Sequence, residues 1–245
     1  MTNYGFIVPV FNHPHHLDQL VATLDQFDLQ IILINDGSDA QCTQKMRELD
    51  QKYIKVHLLE HPYNQGKGQA VITGLIYADQ LGLTHALQID CDGQHHWDDI
   101  EKFLTVSQQY PDRVIIGQPI FDDSIPKERL YGRYLTHILV WIQSLSFEIK
   151  DSMCGFRVYP LAPTLKLIQA SKFQPRMGFD TEILVRLKWE NLHFINVPTP
   201  VIYPDHGISH YHLLRDNIGV TQAHIRLVGG MLKRLPRLLK QKIKG

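Results

Sequence analysis

Two aspartates at the end of an apolar run are the residues of this sequence best suited to chemistry. Asp90 and Asp92 follow the run His85–Ile89, and Gly93 and Gln94 come directly after them. Carboxylates two residues apart in a turn can present oxygens to one point, and such hard ligands suit Mg²⁺ or Mn²⁺. A cation held there would neutralise the charge on a departing diphosphate. The alternative is a solvated acidic turn, because a D-x-D pattern by itself has low specificity.

Two further segments of the first half could bind a nucleotide. Asp36 follows the apolar run Gln30–Ile34, and an acidic residue at such a position often hydrogen-bonds a nucleoside. The alternative is an Asx turn, because Asp-Gly-Ser is an ordinary turn sequence. In Asn64–Ala70, the glycines, the start of a helix and Lys67 suit an anion. The segment is neither a P-loop nor a dinucleotide fingerprint, which argues against a kinase and an NAD enzyme.

The second half pairs acidic residues with glycines in two places. Asp151–Arg157 and Gly178–Glu182 could both line an acceptor site. For Asp180 and Glu182 the alternative is a favourable position at a helix N-terminus.

A histidine cluster follows Asp205. His206, His210 and His212, together with Arg215, would meet a phosphate, or they belong to a polar loop without a ligand.

Short apolar runs alternate with helix-like segments, which predicts an α/β fold with a mainly parallel sheet covered on both faces. Ligands of such sheets lie at the carboxyl ends of the strands, where Asp36 and Asp90 fall. The predicted strands are Tyr4–Val10, Gln30–Ile34, Val56–Leu59, His85–Ile89, Arg113–Ile116 and Phe194–Tyr203, with Asp151–Tyr159 extended. The predicted helices are Pro14–Phe27, Ala40–Lys52, Gly66–Leu81, Trp97–Gln109, Ile125–Phe147 (one helix or a helix pair), Leu161–Ala170, Phe179–Glu190 and a last one from Leu213, interrupted at Gly229-Gly230 and Pro236.

The composition fits one globular α/β domain with an appendage. The chain has 245 residues, 44% hydrophobic and 20% charged, with a formal net charge of zero, so no nucleic-acid partner is indicated. Its three cysteines are widely spaced, which favours a reduced cytosolic chain. No signal peptide and no apolar stretch of about 20 residues is found. We therefore expect a cytoplasmic protein whose membrane contact, if any, is peripheral.

The C-terminal segment differs in charge from the rest of the chain. After Asp216 there is no Asp or Glu, whereas seven Lys or Arg residues follow. Such a leucine- and lysine-rich segment can lie in a membrane interface and attract anionic lipids. The alternative is a solvated helix that packs its leucines on the domain. We divide the chain into residues 1–212 and a basic helical extension, residues 213–245.

Taken together, these segments resemble family 2 glycosyltransferases, and within them the dolichyl-phosphate mannose synthase-like group. The matching strings, in order along residues 4–212, are IVPVFN, INDGSD, NQGKGQA, QIDCDGQHH, DSMCGFRVY, GFDTEILVRLKWENL, INVPTPVIY and HGISHYH. The resemblance implies a GT-A fold, a UDP- or GDP-sugar donor, Mg²⁺ or Mn²⁺, and inversion at the anomeric carbon.

The resemblance also implies roles for individual residues. The nucleotide positions are Pro9, Asn12, Asp36, Gly37, Lys67 and Asp90, and the metal and diphosphate positions are Asp90, Asp92 and Gln94. Asp151 and Arg157 match the segment near the acceptor and the transferred sugar. The segment Tyr203–His210 departs from the group, because histidines stand where arginine or lysine is usual. The acceptor is therefore a polyprenyl phosphate, a glycolipid, or an outer-membrane or aryl-polyene-type lipid.

The mechanism we expect is direct displacement by the acceptor oxygen. A hydroxyl acceptor needs a general base, for which Asp151 is the first candidate and Asp180 the second. A phosphate acceptor needs none. The rival functions are a nucleotidyltransferase, whose glycine- and arginine-rich loop is absent from IVPVFNHPHH, and a non-catalytic nucleotide-binding protein, which would be expected to lose its metal carboxylates.

Overall fold

The computed structural model describes residues 2–121, 127–201 and 213–244. Within these ranges the chain alternates strands and helices. The strands are β1 Tyr4–Val10, β2 Gln30–Asn35, β3 Val56–Glu60, β4 His85–Gln88, β5 Val114–Phe121, β6 Arg157–Pro160 and β7 Phe194–Val201. The helices are α1 Leu17–Asp25, α2 Ala40–Lys52, α3 Lys67–Gln80, α4 Ile100–Gln109, α5 Lys127–Ser144, α6 Leu161–Ala170, α7 Phe179–Trp189 and α8 Leu213–Lys244, with a 3-10 turn at Trp97–Asp99.

The strands form one seven-stranded sheet in the order β3-β2-β1-β4-β6-β5-β7. β6 pairs antiparallel with both β4 and β5, and the other pairings are parallel. The prediction of a mainly parallel sheet flanked by helices is confirmed. The antiparallel β6 was predicted only as an extended segment, because its partners are distant in sequence.

The two faces of the sheet bury separate apolar clusters, which explains why its strands are apolar throughout. In β1, Phe6 and Val8 pack beneath α1, α2 and α4, whereas Ile7 packs with α3, α7 and α8 on the other face. Successive residues of a strand point to opposite faces, so a strand covered on both sides has no polar alternation.

The structure corrects the predicted start of the first helix and the predicted course of the last one. α1 begins at Leu17 rather than Pro14, because Asn12, with a φ of 52°, holds the preceding loop against Ser38 and Asp39. The expected interruptions of the last helix at Gly229-Gly230 and Pro236 are wrong, since α8 is one helix with Pro236 inside it. At Gly230 a Cβ would stand 2.6 Å from the ring of Trp189, so this glycine permits close packing of α8 on α7.

Candidate active site

The carboxyl ends of β1, β2 and β4 bring the predicted donor residues to one edge of the sheet. Asn12 follows β1, Asp36 follows β2, and Asp90 lies two residues beyond the end of β4. β1 lies between β2 and β4 in the sheet, so these three positions are neighbours. The sheet thus juxtaposes residues that are far apart in sequence.

Asp36 organises the glycine-rich segment before α3. Its Oδ1 accepts hydrogen bonds from Gln65 N and from His61 Nδ1, and its Oδ2 accepts one from Gly66 N, each at 2.8 Å. The side chain is 3% exposed. Asp36 therefore fixes the course of the loop that leads to Lys67, and any contact with a nucleoside must be made in addition to these bonds.

The loop after β1 and the turn after β2 are joined by hydrogen bonds. Ser38 Oγ accepts from Asn12 N at 3.1 Å, and Asn12 Oδ1 accepts from Asp39 N at 2.7 Å. Gly37 has a φ of +70°, and a Cβ there would stand 2.4 Å from the backbone of Tyr63. Only glycine fits this position, and it allows the Asp36 turn to pass directly against the next loop.

Asp36 and Asn12 are thus fixed by backbone contacts, whereas Pro9 lies inside β1. The carbonyl oxygen of Pro9 accepts a weak bond from Cys91 Sγ at 3.5 Å. Cys91 is buried between Asp90 and Asp92, so its side chain anchors the acidic turn to β1.

Lys67 lies between two acidic residues at the centre of the site. Its Nζ is 2.7 Å from Asp90 Oδ2 and 3.1 Å from Asp180 Oδ2. Burial disfavours the charged amine, but Asp180 and Asp90 outweigh burial and raise the pKa of Lys67. Lys67 therefore carries a permanent positive charge where a diphosphate would need one.

The acidic turn after β4 has the donor set of a divalent-cation site. Asp92 Oδ1 accepts from Gln94 N at 3.0 Å across Gly93, whose φ is +73°. Asp90 Oδ1 is buried and has no hydrogen-bond partner among the described residues. Burial would raise the pKa of Asp90, but Lys67 and His95 together hold it below its ordinary value, so the carboxylate stays ionised.

These residues fit a cation that takes its other ligands from phosphates. The described residues contain no group of three or more His, Cys, Asp or Glu side chains placed to hold a metal ion. Mg²⁺ is commonly bound through one or two carboxylates plus substrate phosphates. The ionised Asp90, one oxygen of which lacks a partner within the described ranges, meets that requirement beside Asp92.

Asp151 lies in the segment before β6 and is surrounded by donors. Its carboxylate accepts from Arg133 Nε at 2.5 Å and Arg133 NH2 at 2.9 Å, and from the backbone of Met153 and Cys154. His137 Nε2 is 3.3 Å away. Burial would raise the pKa of Asp151, but His137 and Arg133 hold it well below its ordinary value. A carboxylate this weakly basic and this enclosed is poorly suited to remove a proton.

Arg157 is buried and contacts protein groups, which changes the role predicted for it. It is 0% exposed and donates to the carbonyl oxygens of Cys154, Ser152 and Asp180, and to Tyr159 Oη. It also lies 3.2 Å from Asp180 Oδ1. Arg157 therefore positions Asp180 instead of contacting a substrate, because its donor groups face protein acceptors.

The structure describes only some of the remaining predicted site residues. Asp180 is 8% exposed and reaches the centre of the site through Lys67, whereas Glu182, which follows it on α7, points away and is 0% exposed. His206, His210 and His212 lie outside the described residues. Arg215 is half exposed on α8, 3.8 Å from Asp216.

Four side chains that support the site were not predicted from the sequence. Arg133 and His137 hold Asp151, His61 holds Asp36, and Arg176 donates to Asn64 Oδ1 at 2.6 Å. Arg133 and His137 are four residues apart and so share one face of α5, a signal that could have been found. Arg176 and Asn64 are 112 positions apart, and no local pattern connects them.

Comparisons with known proteins identify a matching family and similar relatives. Residues 6–174 match the family model described as Glycosyl transferase family 2. The chain is similar to a dolichyl-phosphate beta-glucosyltransferase from Drosophila melanogaster, with 29% identity over 73% of this chain and 60% of the relative. It is also similar to a UDP-N-acetylglucosamine–dolichyl-phosphate N-acetylglucosaminyltransferase from Methanococcus voltae, with 26% identity over 83% of this chain and 87% of the relative.

The fold has counterparts among solved structures. A glucosyl-3-phosphoglycerate synthase from Mycobacterium tuberculosis, in complex with Mn²⁺ and UDP-glucose, superposes with a TM-score of 0.64 at 13% identity, covering 95% of this chain and 79% of the other. The chain spans about 60% of the length of the Drosophila and Trichomonas vaginalis relatives that it matches. The likeness to the solved structures identifies the GT-A architecture.

Proposed function

The chain belongs to glycosyl transferase family 2, and on that premise we propose that it transfers a sugar from a nucleotide-diphosphate sugar to a lipid-type acceptor with inversion. The cluster of Asp90, Lys67 and Asp180 at the carboxyl edge of the sheet carries the proposal. It combines an ionised carboxylate, one oxygen of which has no partner in the part of the chain that the structure describes, with a permanent cation 2.7 Å away. This arrangement suits a diphosphate and its metal ion.

The donor site would be divided between the metal positions and the loop before α3. Asp90, Asp92 and Gln94 would hold Mg²⁺ or Mn²⁺, which would stabilise negative charge on the leaving diphosphate. Lys67 lies at the start of α3, where the backbone N–H groups also favour an anion. Asp36, Asn12 and the turn at Gly37 would surround the nucleoside. The names of the relatives favour UDP over GDP as the nucleotide.

The chemistry of Asp151 favours a phosphate over a hydroxyl as the acceptor group. A hydroxyl acceptor needs a base, but Asp151 is held ionised by Arg133 and His137 and accepts hydrogen bonds from the backbone. A lipid phosphate is already ionised and needs no proton removed. The two relatives described above are named for transfer to dolichyl phosphate, which supports the same choice. Asp180 remains the base candidate if the acceptor is a hydroxyl.

A lipid acceptor implies action at a membrane surface. None of the described helices is long and apolar enough to cross a membrane. We propose that the chain acts peripherally at the inner face of the cytoplasmic membrane.

Donor binding tests the proposed function most directly. UDP- and GDP-sugars would be titrated with and without Mn²⁺ into the wild type, Asp92→Asn, and the control Asp98→Asn, whose side chain is 89% exposed. We expect metal-dependent binding of one nucleotide class, weakened at least ten-fold by Asp92→Asn (about 1.4 kcal/mol) and unchanged in the control.

Other outcomes of the titration would contradict the proposal. A preference for nucleoside triphosphates would favour a nucleotidyltransferase. Nucleotide binding that does not depend on Mn²⁺ would favour a non-catalytic nucleotide-binding protein, and absence of any nucleotide binding by the folded wild type would contradict the proposed donor site. Equal binding by wild type and Asp92→Asn would remove Asp92 from the metal site.

A further inference from the structure

An uncovered apolar surface lies on α5 and α8, outside the site described above. Its side chains are between 39% and 66% exposed, although each is large and apolar. Single exposed apolar residues are common, but a contiguous group of this kind marks an interaction site. We call it the α5–α8 surface, formed by Tyr134, Leu135, Ile138 and Ile142 of α5 and by Ile218, Ile225, Val228, Leu232 and Leu239 of α8.

The spacing of these residues makes one stripe on each helix. On α8, Ile218, Ile225, Leu232 and Leu239 are seven residues apart, which is close to two helical turns. On α5, Tyr134, Ile138 and Ile142 are four residues apart, and Leu135 lies three residues before Ile138. Each helix therefore has a second apolar face besides the one it buries in the core.

The two stripes border the same seam between the helices. Gln143 of α5 and His224 of α8 are both buried and hydrogen-bonded, with Nε2 and Nδ1 3.0 Å apart. Ile142 precedes Gln143, and Ile225 follows His224. Val228 lies one turn beyond His224 on the same side of α8. Exposed residues of both helices thus directly adjoin this contact in sequence.

The charges beside the stripe favour an anionic partner. Lys233 and Lys240 are exposed and directly follow Leu232 and Leu239 of the stripe, and Lys242 is exposed as well. No Asp or Glu occurs after Asp216. A second copy of the same face would place these lysines against one another, whereas an anionic bilayer offers apolar depth and negative charge together.

We infer that the α5–α8 surface docks the protein on an anionic lipid bilayer. α8 would lie in the plane of the interface with its apolar stripe inserted and its lysines at the headgroups. The inference deepens the proposed function and rests on it, because docking serves to present a lipid acceptor. α5 directs Arg133 and His137 to Asp151 while Tyr134 and Ile138 face outward, so only the width of α5 separates bilayer and acceptor segment.

Vesicle flotation of the full chain tests the docking surface. Vesicles of equal parts phosphatidylcholine and phosphatidylglycerol would be compared with vesicles of phosphatidylcholine alone. We expect the wild type to prefer the anionic vesicles, and the pair Ile225→Glu and Leu232→Glu to lower binding at least ten-fold. Lys233→Gln and Lys240→Gln should each lower binding to anionic vesicles by about five-fold.

A control variant and a pair of substitutions on α5 show whether the loss of binding is specific to this surface and whether both helices contribute. Ile54→Glu introduces the same charge at a residue that is 97% exposed but remote in sequence from both helices, and should bind vesicles as the wild type does. Leu135→Glu with Ile138→Glu should lose binding as the α8 pair does. Wild-type binding by this α5 pair would overturn the two-helix surface.

Two other results would overturn the inference altogether. One is equal binding to neutral and anionic vesicles. The other is absence of vesicle binding by the wild type, and a wild-type dimer that Ile225→Glu dissociates would then identify the surface as an interface between copies of this chain. Metal-dependent nucleotide binding, measured on every variant, shows that the fold is retained. If nucleotide binding is absent while anionic vesicles still bind, the proposed function fails and the docking surface stands.

Discussion

Buried charges of alternating sign connect the donor side of the site to its interior. Asp90 contacts Lys67, Lys67 contacts Asp180, and Asp180 contacts Arg157, at distances between 2.7 and 3.2 Å. An isolated buried charge would be costly, and each member of the chain offsets the desolvation of its neighbours. Arg157 is fully buried at one end, and Asp90 is partly exposed at the other. The charge network is thus anchored in the core and open toward a ligand.

Gly155 allows the backbone before β6 to approach the acidic turn. A Cβ at this position would stand 2.0 Å from Asp90 Oδ2 and 2.5 Å from Oδ1. We therefore expect Gly155→Ala to displace the carboxylate and to weaken metal-dependent nucleotide binding at least ten-fold, measured by calorimetric titration.

The matched control for Gly155→Ala is Gly229→Ala. Gly229 lies in α8, and a Cβ there meets nothing within 4 Å, so this variant should bind as the wild type does. It should also stabilise the helix by about 1 kcal/mol. Wild-type nucleotide binding by Gly155→Ala would show that the position of Asp90 is not critical.

Asp151 should make the stability of the protein depend on pH in a defined direction. Its pKa lies below the ordinary value of 3.8, so its contribution is complete above that value and declines as the pH falls below it. Asp151→Asn should lower the free energy of unfolding at pH 7 by roughly 3–5 kcal/mol, because it breaks the buried ion pair between Asp151 and Arg133.

Urea denaturation of both proteins at a series of pH values measures this effect. The difference between wild type and Asp151→Asn should be constant near neutrality and shrink as the pH drops below about 4. Asp112→Asn, at an exposed position, should show no such difference. A difference that is unchanged at low pH would mean that Asp151 does not stabilise the fold through its charge.

At the scale of elements, the sequence predicted what depends on local periodicity and missed what depends on distant partners. The bounds of β1, α2 and α6 agree with the structure, because apolar runs and turn residues delimit them. The reversed direction of β6 comes from pairing with strands some 40 and 70 positions earlier. The same limit explains why Asp90 and Lys67 were found but Arg176 was missed.

At the same scale, Glu182 of α7 connects its own helix to α8 and to the segment that contains Gln174. It is 0% exposed and accepts from Gln174 N at 2.8 Å, from Arg186 at 2.5 Å, and from Arg226 of α8 at 3.1 Å. The segment with Gln174 continues to Arg176, which bonds Asn64 beside the glycine-rich loop. Through these contacts, α8 supports the loop that carries Lys67.

Arg226→Ala should therefore reduce stability more than loss of a surface ion pair does. We expect a loss of about 1–3 kcal/mol in the free energy of unfolding, since a buried carboxylate loses a donor. Arg237→Ala removes the exposed pair with Glu190 and should cost about 0–1 kcal/mol. Urea denaturation of the two variants measures the difference, and equal losses would show that Arg226 adds nothing to the buried network.

At the scale of the whole molecule, the two faces of α8 have different environments. One face contributes Ala223, Leu227, Met231 and Leu238 to buried positions, and the last three belong to the core cluster beneath α3 and α7. The other face carries the exposed stripe and the lysines. The division at residue 212 made from the sequence follows the start of the helical pattern at Leu213, but the packing of Leu227 against the core crosses that boundary.

A truncation series tests whether the extension is separable. A chain ending after residue 212 loses these four buried side chains, at about 1.5–3 kcal/mol for each large one. That loss is comparable with the whole stability of a typical domain, about 5–15 kcal/mol. We expect this chain not to unfold cooperatively, as judged by thermal denaturation monitored by circular dichroism. A chain ending after Lys240 retains Leu238 and should unfold near the wild-type temperature. If the shorter chain also unfolds cooperatively and binds nucleotide, residues 1–212 are an independent domain and α8 is an appendage.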